Sequence, residues 1–314
     1  MLKLIASRLV AAIPIVLGLT LLIFLMIQFS PIDPVTVILG DTATESSKAA
    51  MREELGLDRP WPLQFLTWLG GAVQLDFGRS IYTNLPVTQM ITDRLPVTVS
   101  LVALSGLVAV VFGLAVGIVS ARFRKKAVDR VLMTATSIGL AIPSFWLGIL
   151  LALVFGVALR WLPVIGYTSL PDDPLGWGLG LVMPVIAMSI YPAGVIARQT
   201  RGAMIDALDS SYSTALRARG LPTAVLVNRY AFRNALPPVL AVIGIQLSHL
   251  IGASFVIEKV FGMSGLGSLL IDSVTKNDFA VLQAVTLIVV LGVLLVNILL
   301  DVVHAYVDPK ARLV

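Results

Sequence analysis

The chain has 314 residues, of which 57% are hydrophobic and only 13% charged, with a mean hydropathy of +0.94. Soluble domains carry about 25% charged residues, so bulk disorder, a collagen-like chain and an ordinary cytosolic enzyme fit poorly, and a chain whose solvent is largely lipid fits well. The net charge of +5 comes without a single cysteine, which removes disulfides, zinc–thiolate sites and cysteine nucleophiles; its distribution argues for membrane topology rather than nucleic acid.

Six stretches lack Asp, Glu, Lys and Arg: Leu9–Phe29, Val97–Ala121, Val131–Leu159, Leu175–Ala197, Ala235–Ile257 and Phe279–Leu300. Each reaches the roughly 20 apolar residues that a helix needs to cross a bilayer, and a helix satisfies its own backbone where lipid cannot. The runs of roughly 10 alternating residues that mark a membrane β-barrel are missing. The first run follows Lys3 and Arg8 but is longer than a signal-peptide core, and no small-x-small cleavage site stands at Gln28–Pro31. The expectation is an all-α integral membrane protein with six transmembrane helices. The first lies within residues 1–30, an external region spans 31–96, a five-helix core spans 97–305, and a tail follows over 306–314.

Charge sets the expected orientation. With the N-terminus inside, one face collects Lys3, Arg8, the Arg122–Arg130 cluster, Arg198, Arg201, Arg217, Arg219, Arg229, Arg233, Lys310 and Arg312, while the short loops opposite hold only Arg160, Lys259 and Lys276. Cytoplasmic loops carry the basic excess, so both termini are expected in the cytoplasm.

In the external region, Ser46 or Ser47 is placed to cap a helix ending at Gly56, and a second helix follows Pro60 with Trp61, Phe65, Trp68 and Leu69 on one face. That face suits the membrane interface, where Trp belongs, or a ledge for an external partner.

The cytoplasmic segment Arg198–Asn234 is punctuated like a short helix. Ser210 and Ser211 are N-cap types, Tyr212, Ala215 and Leu216 form a small apolar face, and Arg217 and Arg219 sit in the last turn, where the dipole favours cations. Gly220 suits the left-handed position after the helix, Pro222 stops it, and Thr223 is placed to cap the next one. So short a helix is marginal alone. Either it packs on the protein's own helix ends, or its apolar face anchors in a groove on a cytoplasmic partner.

Tyr212, the run Arg217-Ala218-Arg219-Gly220-Leu221, and Phe232-Arg233-Asn234-Ala235-Leu236-x-Pro238 resemble the coupling-helix region of bacterial ABC transporter permeases of the dipeptide, oligopeptide and nickel family. Where such permeases carry acidic-Ala-Ala three residues before the glycine, this chain has Thr214-Ala215-Leu216. Leu55-Gly56-Leu57-Asp58-x-Pro60 with Gln64, Asp76-Phe77-Gly78-Arg79-Ser80, Ile142-Pro143-Ser144-Phe145-Trp146-Leu147-Gly148, Glu258-Lys259-Val260-Phe261 with Gly265-Leu266-Gly267, and Asp308-Pro309-Lys310 resemble the same family in order. The early first span and long external region are similar to the dipeptide permease B type.

The resemblance implies the fold of an ABC type I importer permease and a function as half of the path of an ATP-driven, binding-protein-dependent peptide importer. It implies a second homologous permease, one or two nucleotide-binding ATPase subunits holding ATP and Mg, an extracytoplasmic substrate-binding protein, and a bacterial inner membrane. Residues about 210–221 become the coupling helix, meeting the ATPase through Tyr212, Ala215, Leu216, Arg217, Ala218, Arg219, Gly220 and Leu221. Nickel complexes, glutathione or another small solute are alternative cargoes, and a self-sufficient channel or ion-coupled carrier is the rival class.

The chain itself has no G-x-x-x-x-G-K-[ST] phosphate loop, and Gly262, Gly265 and Gly267 read as a turn or re-entrant segment on the external side. No catalytic residue, cofactor site or metal site is expected: the only histidines, His249 and His304, lack ligand spacing. Gln246 and His249 share a face of the fifth span, and Ser144 follows the proline of the third. These three either bond between helices or line the translocation path. Asp301 and His304 read as an anchor at the inner interface. No span carries a buried carboxylate or lysine at mid-depth, whereas coupled carriers usually need an intramembrane ionisable group.

Overall fold

The computed structural model describes residues 2–40 and 42–307, with side chains from Ile5 onward; the tail motif Asp308-Pro309-Lys310, with Arg312, lies outside the described residues. In chain order the helices are α1 (Leu2–Gln28), α2 (Pro34–Leu39), α3 (Glu45–Glu54), α4 (Trp61–Val73), α5 (Val87–Arg122), α6 (Ala127–Ala141), α7 (Ser144–Leu151), α8 (Pro174–Asp209), α9 (Ser211–Ala218), α10 (Thr223–Val225), α11 (Phe232–Val260), α12 (Leu266–Lys276) and α13 (Phe279–Val307). Wider π-helical turns carry α7 on through Ala152–Ala158 and join α10 to α11 through Leu226–Ala231. Among the described residues there is no strand, only an isolated bridge between Arg79 and Pro86.

Five continuous helices are long and apolar enough to span a bilayer: Ile5–Gln28, Val87–Arg122, Pro174–Asp209, Thr223–Val260 and Phe279–Val307. The third apolar run is not one helix. It breaks into Ala127–Ala141 and Ser144–Ala158, bent by 97°. Pro143 has no amide to continue the ladder and holds the residue before it out of the α region, and Ile142 is extended at φ −91°, ψ 122°. α12 is a helix the apolar runs did not announce, and α5 starts ten residues ahead of its uncharged stretch.

Contacts divide the chain into two compact units, one mainly Thr98–Met263, the other mainly Ala6–Val97 with Ser264–Leu294. In the first, α8 is the central helix. Over half of its most apolar window is buried, and glycines let its neighbours approach closely. A Cβ on Gly113 would lie 2.8 Å from the side chain of Ile196, and one on Gly117 2.5 Å from that of Thr200. At one end Asp129, 4% exposed, accepts from Arg201 Nε (2.7 Å) and Nη2 (2.8 Å), from the Lys125 amide (3.0 Å) and from Ser120 Oγ. One carboxylate thus serves α5, α6, their connection and α8. A Cβ on Gly148 of α7 would lie 3.1 Å from the ring of Phe261. Glu258, fully buried, accepts from Thr98 Oγ1 at 2.6 Å.

In the second unit Phe77, Val87, Ile91, Leu266, Leu269, Val281 and Val285 form the core, with Trp68 packed against it. The cap of α3 is Thr44 rather than Ser46 or Ser47; its hydroxyl accepts from the Ser47 amide at 3.3 Å. Gly56, at φ +67°, ends that helix, and Gln64 Nε2 donates to the carbonyls of Leu57 (2.9 Å) and Arg59 (2.8 Å). That bond explains why Leu55–Pro60 and Gln64 read as one motif. On α4, Phe65 meets Phe24 of α1 edge-on at 5.4 Å and stacks on Trp68 at 6.3 Å, while Trp61 is exposed. Asp76 accepts from the Gly78 amide (3.0 Å), Phe77 enters the core, and Ser80 Oγ donates to buried Asp278 at 2.6 Å.

Candidate functional site

α9 forms as its punctuation predicts. Ser210 is the N-cap, its Oγ accepting from the Ser213 amide at 3.3 Å. Gly220 sits at φ +79°; its amide donates to the Arg217 carbonyl (2.9 Å) and the Leu221 amide to the Leu216 carbonyl (3.3 Å). These two bonds form the C-terminal motif that a left-handed glycine permits. Thr223 does not cap the next helix: Pro222 holds the cap position and Thr223 is already helical.

The structure shows this helix packed on the protein's own helix ends. On one side it is tied to α8: Ser210 Oγ and Ser213 Oγ donate to the Ala207 carbonyl at 2.7 and 2.6 Å, and Arg217 Nη2 donates to the Leu208 carbonyl at 3.1 Å. Arg217, expected from the resemblance to meet the ATPase, thus satisfies a carbonyl at the end of α8. Tyr212 stands edge-on to Tyr230 at 6.1 Å yet is 46% exposed. Ala215, Ala218, Arg219 and Gly220 are exposed, and Leu216 and Leu221 half-buried. A cavity of about 720 Å³ lies beside this helix, lined by Gln199, Asp206, Ser210, Tyr212 and Asn234 among others.

Ser144, about a hundred residues earlier in the chain, comes together with Gln246 and His249. All three line a cavity of about 360 Å³ with Pro143, Met188 and Tyr191. His249 is exposed, Ser144 half-buried, and Gln246 only 7% exposed, with its Oε1 lacking any hydrogen-bond partner. The bend at Pro143 therefore shapes a cavity. Three charged residues make contacts that the sequence did not reveal. Asp129 and Arg201 are separated by 72 positions, so neither betrays the other. Glu258 lies just past an uncharged run that ends at Ile257, but α11 continues to Val260 and encloses it; it is near the helix end, not at mid-depth.

A bundle of spanning helices, one broken at a cavity, with a short capped helix presented between two of them, defines a membrane permease. Residues 1–102 match the family described as binding-protein-dependent transport system membrane component, N-terminal, and residues 113–313 match the binding-protein-dependent transport system inner membrane component. The chain belongs to this family of ABC importer permeases. It is 38% identical over 312 residues, 99% of each chain, to a putative peptide transport system permease protein of Brucella abortus. It is 36% identical to a probable peptide ABC transporter permease protein of Sinorhizobium fredii, over 98% of each. It is 39% identical to the glutathione transport system permease protein GsiC of Pectobacterium atrosepticum, over 99% of each. In fold it is similar to the MetNI methionine ABC transporter in inward-facing conformations, with a TM-score of 0.57 at 21% identity over 70% of this chain and 97% of that one.

Proposed function

We propose that this protein is the non-catalytic transmembrane subunit of a peptide importer. It forms half of the translocation path with a second permease, receives di- or oligopeptides from an external binding protein, and is driven by ATPase subunits that hold ATP and Mg. The observation that carries this reading is end-to-end similarity, at 36 to 38% identity, to permeases named for peptide transport. The outward face of α9 supports the coupling role: Tyr212, Ala215, Ala218 and Arg219 are exposed on a helix that side-chain hydrogen bonds tie to α8. Ser144, Gln246 and His249 line the path. The basic excess supports a bacterial inner-membrane location with both termini on the cytoplasmic side.

The test is uptake of Ala-Ala by the reconstituted complex. Gly220→Pro cannot adopt the positive φ that ends α9; together with Arg219→Glu it should lower uptake at least about ten-fold while the subunit remains inserted and hydrolysis continues. Normal uptake in both variants would refute the coupling role. The similarity to the glutathione permease of Pectobacterium atrosepticum favours glutathione as a second reading. Competition between reduced glutathione and Ala-Ala for the cognate binding protein separates the two.

A further inference from the structure

We propose that His249 sorts cargo by charge: its imidazole, in the wall of the cavity at the broken third span, favours acidic over basic peptides when it carries a proton. This role rests on the peptide-importer reading, with that cavity as part of the path, and it specifies the class of substrate that passes.

The placement is unusual for a spanning helix. His249 stands near the middle of the uncharged run Ala235–Ile257, well inside α11. Its side chain is exposed, and the ring makes no hydrogen bond or ion pair with any described residue. Its chain neighbour Ser248 does bond between helices, donating to Asn297 Oδ1 of α13 at 3.1 Å. An ionisable group at this depth is costly in lipid and belongs against protein or water. His249 meets that need at the cavity of about 360 Å³ that it lines.

The surroundings leave its charge unopposed. The lining holds no Asp, Glu, Lys or Arg, and Tyr191 of α8 is its one other titratable side chain. A phenol stays neutral up to about pH 10, whereas an imidazole changes charge between about pH 5 and 8. The charged groups of the neighbouring helices lie elsewhere. α7 has none, and α5 has none over Thr98–Ala121. On α8 the nearest is Arg198, about two turns past Tyr191, and it donates to Ser137 Oγ of α6 at 2.8 Å. Asp129 and Arg130 stand at the far end of α6 from the bend. Arg229 and Arg233 precede or open α11, and Glu258 and Lys259 close it. Asp301 and His304 of α13 lie past Asn297 and outside the lining. Protonation of His249 therefore turns a neutral wall into one with a single positive charge, in a confined space where charges interact more strongly than in water. The imidazolium repels ammonium groups and attracts carboxylates. Ala-Ala brings one of each, so the added cation of Ala-Lys or the added anion of Ala-Glu decides the sign.

The experiment uses the complete importer in proteoliposomes, with its binding protein and ATPase subunits. It reads the uptake ratio of Ala-Glu to Ala-Lys at about pH 5.5 and about pH 7.5, between which an imidazole titrates while both peptides largely keep their charges. The partner subunits are common to all variants, so their own pH preferences cancel when variants are compared with wild type. His249→Gln is neutral throughout, and His249→Arg is charged throughout. At about pH 5.5 the wild-type ratio should exceed that of His249→Gln about ten-fold, or about 1.4 kcal/mol, and at about pH 7.5 the two should converge. Against His249→Arg the pattern reverses, with convergence at the acid pH and a gap at the neutral one, so either variant alone reads the charge. A merely structural role would alter the uptake of both peptides together and leave the ratios equal. A His249→Gln ratio equal to wild type at both pH values, or a His249→Arg ratio no higher than wild type at about pH 7.5, overturns the charge filter and leaves peptide import standing. A wild-type importer that carries none of Ala-Ala, Ala-Glu and Ala-Lys overturns both.

Discussion

Gly117 sets how closely α5 approaches α8. A methyl group there would lie 2.5 Å from Thr200 Cβ and 2.7 Å from the Ala197 carbonyl oxygen, closer than any atom pair allows. Gly113, one turn earlier, faces Ile196 and the Ala193 carbonyl in the same way. Small residues at such crossings let membrane helices pack backbone to backbone, where no hydrophobic force drives association. Gly117→Ala should therefore destabilise the protein by about 1–3 kcal/mol, as overpacking does. Gly18 of α1, with nothing within 4 Å of its added methyl, is the contrast: Gly18→Ala should be neutral or stabilising through helix propensity. Thermal melting of both variants in one detergent checks the pair, and equal midpoints would contradict the close crossing.

The short helices α2 and α3 depend on a few polar links. Asp33 caps α2 and meets Arg52 of α3, Oδ2 to Nη2, at 2.5 Å. Burial raises the Asp33 carboxyl, but the Arg52 guanidinium and the Val35 amide outweigh it and hold the group below its ordinary value of 3.8. A carboxyl lowered in the folded state contributes stability above its unfolded value and loses it as pH falls through the folded one. The protection of α3 amides against hydrogen exchange, taken relative to the intrinsic rate at each pH, should thus fall as pH drops below about 4. The effect is modest, because the pair is partly exposed. Asp33→Asn should show the faster exchange already at neutral pH, without the acid step; an unchanged acid step in that variant would remove the link. The turn around Gly56 and Gln64 and the Asp76–Ser80 segment were visible as motifs, but their partners, such as Asp278, lie too far along the chain for spacing to reveal.

Across the whole molecule, what could be read in advance was what local chemistry dictates. Run length and charge located the spans, and Ser210, Gly220 and Pro222 located α9. Pro143 announced a break, but the 97° angle depends on where α6 and α7 pack: Gly194 admits Leu140, and Gly148 admits Phe261. Gathering Ser144, Gln246 and His249 around one cavity likewise needs three helices folded together. The coupling role proposed for α9 has two routes of transmission open to it. One is the hydrogen-bonded tie to α8; the other passes through the π-helical turn Leu226–Ala231 into α11. Such a turn holds one residue more than an α-turn and tends to sit at functional joints. Deleting exposed Asn228 should relax it to α-helix and lower the ratio of peptide imported to ATP hydrolysed several-fold; a preserved ratio would assign the work to α8 alone. The Asp129 cluster decides what α8 then carries along. A single acid riveting adjoining ends of α5, α6 and α8 makes those ends travel as one block, so the stroke proposed for α8 leaves the elbow between Ala141 and Ser144 as the place where the third span yields.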